Sequence, residues 1–463
     1  MLQQSFPRLL GALVFTVLLH SAVSAEADWP RFRGPNGSGV SQEKSPTPVT
    51  WSETKNLAWK VTLPGKGVSS PIVVGDRVFV TCYSGYGMER NNPGNMENLK
   101  RHLVCLDRKT GKKNWTKTID AVLPEDRYSG AGVPQHGYAS HTPVSDGERV
   151  YVFFGKTGAL GFDMQGKKLW QRGVGTESDI RSWGSSSSPI LYKNLLIVTA
   201  TAESQAIVGL DTKTGKEVWR QEATGLENVW GTPAIAKVDE NRDDLVIGVP
   251  GEFWGFNPTT GKLVWYCEAL RTDQFNSSVV AHNGVVYGMS GRGGGTIAVR
   301  AGGKDDVSKS HVVWTGRDSA RIGTPIVYDG HFYSVADGSA ICVNAKTGDR
   351  VYQARLQQPE TQAQPRGGDE GRGGRGGFGG RGGFGGMGSS DYSSPMLSDG
   401  KIYFVSRSGN MYVLKAGNSF EQLAVNRVTK DREDFSGTPA ISHGQLFIRS
   451  DKHLYCIASK SAK

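Results

Sequence analysis

The stretch DTKTGKEVW, residues 211–219, has the composition of a tight hairpin turn followed by a strand that ends in tryptophan. Aspartate, threonine and glycine supply the side-chain-to-backbone hydrogen bonds and the permissive backbone that such a turn needs. Related turns end along the chain at Trp115, Trp170, Trp265, Trp314 and Tyr352, and a degenerate copy ends at Leu423. One type of β-hairpin is therefore repeated through most of the sequence.

A second marker precedes each turn and consists of a small residue, then Ser or Thr, then in most copies Pro. Its copies begin at residues 69, 141, 187, 231, 277, 323, 393 and 437. The four intervals between 141 and 323 are 44 or 46 residues long, and each holds four short β-rich runs. Eight units of this period predict an all-β fold, an eight-bladed β-propeller of four-stranded antiparallel blades.

The strands of one unit can be placed from innermost to outermost. Around the quoted stretch we predict them at residues 189–191, 195–200, 206–210 and 216–221. The last unit, residues 437–458, lacks a tryptophan-bearing outer strand, whereas residues 57–61 form a spare strand that contains Trp59. We therefore predict that the N-terminal strand completes the eighth blade, which removes the edges of an open array and gives a propeller over residues 57–459.

The rings that end the turns are predicted to dock neighbouring blades, because a large flat ring covers the most area per residue. This structural role is assigned to Trp59, Trp115, Trp170, Trp219, Trp265, Trp314 and Tyr352. About ten residues before each ring lies a small side chain, such as Cys105, Gly209 or Cys342, as interlocking faces require. The small-residue column therefore indicates that Cys105, Cys342 and, by analogy, Cys456 are packing residues. The five cysteines form no CxxC pair, and their spacing predicts neither a disulfide framework nor a zinc site.

The eleven residues from Gly209 to Trp219, with a small residue first, Gly seventh and Trp last, resemble the tryptophan-docking motif of the pyrroloquinoline quinone (PQQ) repeat family. The resemblance covers about residues 28–458. It implies an eight-bladed propeller shared by two branches. Quinoprotein alcohol dehydrogenases bind PQQ and Ca²⁺, whereas the outer-membrane assembly factor BamB and its relatives bind other proteins.

The dehydrogenase branch implies an adjacent cysteine pair near the cofactor, a carboxylate and an Asn on Ca²⁺, and a catalytic Asp. No two cysteines of this chain are adjacent. Asp391, Asp434 and Glu203 lie near the expected funnel but have the character of charged loop residues. The acidic run at 239–244 lacks the spacing of a Ca²⁺ loop, and His136 and His141 have no partner at ligand or triad spacing. No catalytic residue, metal ligand or cofactor is therefore predicted, and PQQ with Ca²⁺ is the alternative.

Residues 1–25 have the pattern of a secretory signal peptide, with Arg8 ahead of an apolar run and small residues before the predicted cleavage site. No cysteine lies near that site, so we do not expect a lipoprotein, and no later segment approaches the roughly 20 apolar residues of a membrane span. The net charge of +10 is spread through turns, which favours solubility over a specific nucleic-acid site. We predict a soluble protein exported to the periplasm or cell envelope.

Residues 26–56 form a lead-in before the first blade. Its segment DWPRFRGPNGSGVS, residues 28–41, resembles the lead-in of many exported family members. Two interpretations stay open: Trp29 and Phe32 pack on the propeller, or the segment is a disordered leader.

Three insertions lengthen connections that emerge on one face of a propeller: residues 83–100, 119–136 and 365–390. The third is rich in Gly and Arg, has almost nothing to bury and is predicted to be disordered. It is either a tolerated spacer or a segment that binds an envelope polyanion. Binding surfaces concentrate on such elaborated faces.

On that same face, the residues just before the markers are predicted to ring the central funnel: Tyr138, Trp183, Trp230, Phe275, Arg321, Tyr392 and Phe435. An aromatic rim with one arginine suits a peptide, a protein loop or a planar ligand. The alternative is that the rings plug the channel. The sequence thus predicts a non-catalytic binding or scaffold protein of the BamB-like branch with a protein or peptide partner at this rim, and a reduced quinoprotein dehydrogenase is the second hypothesis.

Overall fold

Eight small antiparallel sheets succeed one another along the chain. The computed structural model describes residues 27–291, 293–358 and 391–459, so the predicted signal peptide and the insertion at 365–390 lie outside the described residues. Each sheet is one blade, numbered 1 to 8 from the marker that opens it, and the strand after the marker is innermost. The arrangement confirms the predicted eight-bladed propeller.

In blades 1 to 7 the main strands follow one another along the chain from the inner to the outer edge, whereas blade 8 takes its outermost strand from the N-terminal segment. Blade 1 contains Ile72–Val74, Arg77–Ser84, Lys100–Asp107 and Lys113–Asp120; blade 2 contains Val144–Ser145, Arg149–Phe153, Ala159–Asp163 and Lys168–Arg172; blade 3 contains Ile190–Tyr192, Leu195–Ala200, Ala206–Asp211 and Glu217–Glu222; blade 4 contains Ala234–Lys237, Asp243–Val249, Glu252–Phe256, Leu263–Glu268 and the added strand Asp305–Asp306. Blade 5 contains Val280–His282, Val285–Ser290, Gly295–Arg300 and Val312–Gly316; blade 6 contains Ile326–Tyr328, His331–Ala336, Ser339–Asn344 and Arg350–Arg355; blade 7 contains Met396–Ser398, Lys401–Val405, Met411–Lys415 and Gln422–Asn426; blade 8 contains Ala440–Ser442, Gln445–Arg449, His453–Ala458 and Leu57–Thr62.

Helices in the described residues are single turns within connections. They are the α-helical turns Val133–His136 and Thr201–Ser204 and the 3-10 turns Pro35–Gly37, Met96–Asn98, Gly155–Thr157 and Thr224–Leu226. None of the helices in this part of the chain is long and apolar enough to span a membrane.

Blade 8 is closed by the N-terminal strand, as predicted. Trp59 lies opposite Cys456 and Lys60 opposite Tyr455 in an antiparallel ladder. The blade 3 strands also match their predicted bounds to within one residue at each end. The blade 3 prediction rests on turn chemistry and alternation, which are local properties of the sequence. The closure prediction rests instead on the outer strand that the last unit lacks and the spare strand at residues 57–61.

A β-bulge precedes the docking ring and explains why the ring turns inward. In blade 3, Gly209 lies opposite Trp219 and Leu210 opposite Glu217, so Val218 is the extra residue and is 54% exposed. A Cβ on Gly209 would lie 2.3 Å from the Trp219 ring. The small residue in the predicted column therefore makes room for the ring of its own blade.

The other face of the ring rests on the turn of the next blade. Trp170 of blade 2 covers Gly215 of blade 3, and its indole Nε1 donates to the Thr212 carbonyl at 2.9 Å. The same ring-on-glycine contact pairs Trp59 with Gly111, Trp115 with Gly166, Trp219 with Gly261 and Trp314 with Gly348. Each of these rings thus bridges two blades.

Blades 4 and 6 depart from this pattern. Trp265 is fully buried and donates to the Asp244 carboxylate at 2.7 Å, while residues 305 and 306 of the long blade 5 turn pair in parallel with the outer strand of blade 4. The last residue of the acidic run at 239–244, Asp244, is thus a buried hydrogen-bond acceptor for the Trp265 indole. In blade 6, Tyr352 packs against Phe420 with ring centroids 6.0 Å apart.

The degenerate turn of blade 7 requires a correction. Val413 lies opposite Ala424, and Leu423 occupies the bulge. This turn is one residue longer than that of blade 3, so the docking position is Ala424 and not Leu423, one residue later than the repeat predicted.

All five cysteines are free and buried, and burial raises the thiol pKa of Cys105 to about 11.

Candidate functional site

The eight markers form the inner wall of the central channel. The second residue of each marker is a buried Ser or Thr that faces the channel: Ser70, Thr142, Ser188, Thr232, Ser278, Thr324, Ser394 and Thr438. We call this set the hydroxyl ring. In seven successive pairs, the backbone N–H of one member donates to the side-chain oxygen of the member in the next blade at 2.9 to 3.0 Å. The Ser or Thr of the marker thus connects adjacent blades around the axis.

The lead-in crosses the opposite end of the channel and forms its floor. Trp29 is buried and exchanges backbone hydrogen bonds with Val73 of blade 1 at 2.9 Å, and Leu397 of blade 7 donates to Gly39 at 2.8 Å. Phe32 lines the channel from below. The open alternative of the sequence analysis is thereby resolved for residues 27–41, since this segment is packed against the propeller.

Two arginines flank Phe32 in the floor, and both are buried. The Arg33 guanidinium donates to the Thr324 carbonyl at 2.8 Å and also reaches the carbonyls of Pro325, Gly37 and Ser38. The Arg31 guanidinium makes a single long bond of 3.4 Å to the Pro233 carbonyl. The floor therefore carries positive charge held by backbone dipoles.

Four of the seven predicted rim residues line the channel: Trp183, Trp230, Arg321 and Tyr392. The two indoles are in contact, with centroids 5.4 Å apart, and Trp230 Nε1 donates to the Gly184 carbonyl at 2.7 Å. Tyr392 lies beneath the Arg407 guanidinium, 5.1 Å from ring centroid to the guanidinium carbon. These side chains form an aromatic and cationic wall above the hydroxyl ring.

The other three predicted rim rings, Tyr138, Phe275 and Phe435, are buried and are not among the residues that line the channel. Tyr138 packs against Tyr83 and Tyr86 of the first insertion, Phe275 against Phe253, and Phe435 against Tyr455. Each is at most 5% exposed. Their neighbours come from other segments of the chain, which the marker repeat does not reveal.

The connection from blade 1 to blade 2 forms a partial roof over the channel. Residues 131, 132, 135 and 136 line it from above. Gln135 accepts a hydrogen bond from Arg407 of blade 7 at 2.9 Å, and His136 Nε2 lies 2.9 Å from the Trp183 carbonyl. His136, for which the sequence indicated no ligand or triad partner, therefore fixes the roof to the aromatic wall. Burial lowers the pKa of His136, which favours the neutral imidazole.

The carboxylates considered from the sequence do not line the channel. Asp391 accepts from the Arg407 backbone N–H at 2.7 Å, and Asp434 is paired with the Arg407 side chain. Glu203 is buried between blades 2 and 3. Among the described lining residues the one formally charged side chain is that of Arg321.

A buried polar cluster lies beside the channel, behind Trp183, and was not recognised in the sequence. Ser185 donates to Glu203 and lies 3.0 Å from His141 Nε2. Burial raises the pKa of the Glu203 carboxyl to about 7, with smaller contributions from the charges of Glu125 and Asp126. Burial also holds the pKa of His141 well below its usual range. The hydroxyl therefore joins two groups that are both favoured in the neutral state.

The channel space enclosed by floor, wall and roof has a volume of about 150 Å³, and we call it the chamber. A cavity of about this volume holds a single benzene ring in another protein. PQQ is a tricyclic molecule that carries several carboxylates, and Ca²⁺ takes six to eight oxygen ligands that usually include carboxylates. In the described ranges no group of three or more His, Cys, Asp or Glu side chains is placed to hold a metal. The chamber therefore does not fit the PQQ and Ca²⁺ pair.

Comparison with known proteins gives one family and two groups of similar proteins. The sequence profile described as outer membrane protein assembly factor BamB matches residues 25–182 and 251–370, more than half of the chain.

Similar sequences include two dehydrogenases. The chain is 27% identical over 165 residues to the 1-butanol dehydrogenase (quinone) of Thauera butanivorans, covering 32% of this chain and 26% of that protein. It is 26% identical over 179 residues to the quinoprotein alcohol dehydrogenase PedH of Pseudomonas putida, covering 36% and 28%. The chain thus spans about a quarter of the length of these relatives.

Similar solved structures include a BamB protein and an alcohol-oxidising dehydrogenase. BamB from Moraxella catarrhalis has a TM-score of 0.57 at 11% identity, over 88% of this chain and 98% of that chain. A europium-containing methanol dehydrogenase has a TM-score of 0.57 at 12% identity, over 94% and 98%. At these identities the likeness establishes the fold alone.

Proposed function

The chain belongs to the PQQ-like propeller family described as outer membrane protein assembly factor BamB, and from that premise we propose that it is an exported, non-catalytic binding protein of the cell envelope. The observation that carries this proposal is the chamber lining, which offers hydroxyl donors, aromatic rings and Arg321 but no described carboxylate. Dehydrogenation of an alcohol needs a base for the hydroxyl proton. The nearby acids Asp391 and Asp434 are engaged by Arg407 instead.

An exposed apolar patch on the elaborated face supports a protein partner. The connection from blade 1 to blade 2 exposes Val122 by 40% and Leu123 by 41%, and the connection from blade 2 to blade 3 exposes Ile180 by 77%. Lys156 ties these two connections together, since its ammonium lies 3.4 Å from Asp126 and 2.8 Å from Ser178. Exposed apolar residues at Leu169, Val218 and Val313 have a different cause, because they directly precede docking tryptophans at the bulge position. The blade repeat does not explain the exposure of these three side chains, which we take together as one apolar patch, and exposed apolar patches mark interaction sites.

We place the partner's apolar segment on this patch, beside the mouth of the channel. The insertion at 365–390 joins blade 6 to blade 7 on the same face and is best interpreted as a tolerated spacer, with binding of an envelope polyanion as the alternative. The predicted signal peptide places the mature chain in the periplasm or envelope under this proposal.

The partner surface is tested by replacing Ile180 with Asp and measuring which envelope proteins co-purify with the chain from cells that make it. The matched control is Val218→Asp, which puts the same charge at another exposed apolar position on the outer edge of blade 3. We expect the Ile180 variant to lose its specific partner and the Val218 variant to retain it, with equal melting temperatures. Equal partner retention by both variants would contradict the proposal.

The second candidate, a reduced quinoprotein dehydrogenase, is favoured by the sequence matches to the two alcohol dehydrogenases. Calorimetric titration of the mature chain with PQQ, with and without Ca²⁺, separates it from the first. We expect no micromolar binding and no quinone reduction when alcohols or sugars are added. Tight, Ca²⁺-dependent binding with substrate-dependent reduction would establish the enzyme instead.

A further inference from the structure

A second, much smaller cavity lies beside the buried cluster of Ser185, His141 and Glu203, and we call it the polar cavity. Among the described residues, its lining shares only His136 and Trp183 with the lining of the chamber, so the two spaces are distinct. Its volume of about 20 Å³ exceeds the roughly 10–15 Å³ that one water molecule needs. The same volume is far below the roughly 150 Å³ of a cavity that holds benzene, so an organic ligand does not fit.

Three side chains that line the polar cavity each have a polar atom without a hydrogen-bond partner among the described residues. These atoms are Glu203 Oε2, His141 Nδ1 and Arg101 Nε. Each of the three residues is at most 4% exposed. Buried polar groups are almost always hydrogen-bonded, either to protein or to an ordered water. One occupant of the cavity could satisfy all three atoms at once.

The hydrogen bonds already present determine whether each atom donates or accepts. Ser185 donates its only O–H to Glu203 Oε1, so its oxygen accepts from His141 Nε2, which lies 3.0 Å away. Burial lowers the pKa of His141, so the imidazole is neutral and its Nδ1 is an acceptor. Burial raises the pKa of the Glu203 carboxyl to about 7, so below that pH Oε2 carries the proton and donates. With the Nε–H of Arg101, two donors and one acceptor remain for the occupant.

The charges around the polar cavity favour a neutral occupant. Arg101 forms an ion pair with Glu125, and the Lys156 ammonium lies 3.4 Å from the Asp126 carboxylate. With Glu203 protonated, these paired charges cancel. A cation would lie against the Arg101 guanidinium without a free carboxylate to balance it.

We propose that the polar cavity binds one water molecule, which accepts hydrogen bonds from Glu203 and Arg101 and donates one to His141. Three hydrogen bonds are typical of a buried water. The water closes a ring that runs from Glu203 through the water, His141 and Ser185 back to Glu203. Each member of this ring donates to the next, and hydrogen bonds in such a chain strengthen one another. The site does not depend on the proposed function, so each can fail without the other.

The first test is a crystal structure of the mature chain at about 1.5 Å resolution, grown near pH 6, where Glu203 is protonated. We expect one water oxygen within about 3.2 Å of Glu203 Oε2, His141 Nδ1 and Arg101 Nε. The proposal is overturned if the cavity contains no density, or if the density is out of reach of any one of these atoms. A crystal soaked in thallium(I) provides the control, because an anomalous peak in the cavity would identify a monovalent cation instead.

The second test counts long-lived internal waters in solution by oxygen-17 magnetic relaxation dispersion. Glu203→Gln retains one acceptor and one donor at the carboxyl position, whereas Glu203→Met is of similar length and has neither. We expect the Gln variant to match the parent protein and the Met variant to lose the signal of one water molecule. An unchanged signal in the Met variant, or a loss in the Gln variant, would refute the ring. If the Met variant does not fold, the crystal structure of the parent protein still decides.

Discussion

Gly215 shows how a single residue determines a blade junction. Its φ of +67° lies in the left-handed region, and the Trp170 ring of the preceding blade occupies the space where a Cβ would project. A Cβ there would lie 2.5 Å from the ring. Glycine is thus required twice, by backbone conformation and by contact.

We predict that Gly215→Ala lowers the free energy of unfolding by about 3 kcal/mol, the sum of left-handed strain and overpacking. Gly330 provides the control, because its φ is +71° and no atom lies within 4 Å of a Cβ there. Gly330→Ala should therefore cost about 1 kcal/mol. Urea denaturation of the two variants measures the difference, and equal costs would show that ring contact is unimportant.

At the scale of elements, the strands could be predicted and their connections could not. The blade 3 strands follow from turn residues and alternation within one segment. Whether a ring before a marker faces the channel depends on what a distant connection brings over it. Tyr138 is enclosed by Tyr86 of an insertion, whereas Trp183 is contacted by Gly132 of the roof but still lines the chamber. For the lead-in, packing of Trp29 and Phe32 on the propeller was one of two interpretations from the sequence. The floor itself was not predicted, because Phe32 and Arg33 belong to no repeat and the Thr324 partner of Arg33 lies about 290 residues away.

The buried polar cluster of Ser185, His141 and Glu203 makes the free energy of unfolding depend on pH through the Glu203 carboxyl. Its pKa is about 7 in the folded chain against 4.5 ordinarily, so between these values the unfolded chain releases a proton that the folded chain keeps. The stabilising contribution of this group is therefore complete below pH 4.5 and is lost as the pH rises through 7. We predict that the free energy of unfolding of Glu203→Gln exceeds that of the parent protein by about 3 kcal/mol at pH 8 and equals it near pH 4.

Urea denaturation of both proteins across this pH range measures the difference. The comparison cancels the opposite contribution of His141, whose lowered pKa is common to both proteins. A constant difference between pH 4 and 8 would contradict the assignment of Glu203 as the titrating group.

At the scale of the molecule, the propeller is a ring closed by non-covalent contacts. Leu57 lies opposite Ile457 in blade 8, and the lead-in bonds to blades on several sides of the axis. We predict that deletion of residues 26–62 lowers the melting temperature by on the order of 10 °C or more, since it removes an outer strand and the floor together.

Deletion of residues 365–390 is the control for that measurement. We expect a change of less than about 2 °C, because the segment is interpreted as a spacer. An unchanged melt in the first deletion would refute closure by a shared blade, and a large fall in the second would refute the spacer interpretation.

The floor that the lead-in forms has a consequence for the rate at which a ligand exchanges. The lead-in lies across one end of the channel, so an occupant enters and leaves the chamber at the other end. The hydrogen bond from Arg407 to Gln135 lies at that other end. We therefore expect two occupants of equal affinity but different size to exchange with solvent at different rates.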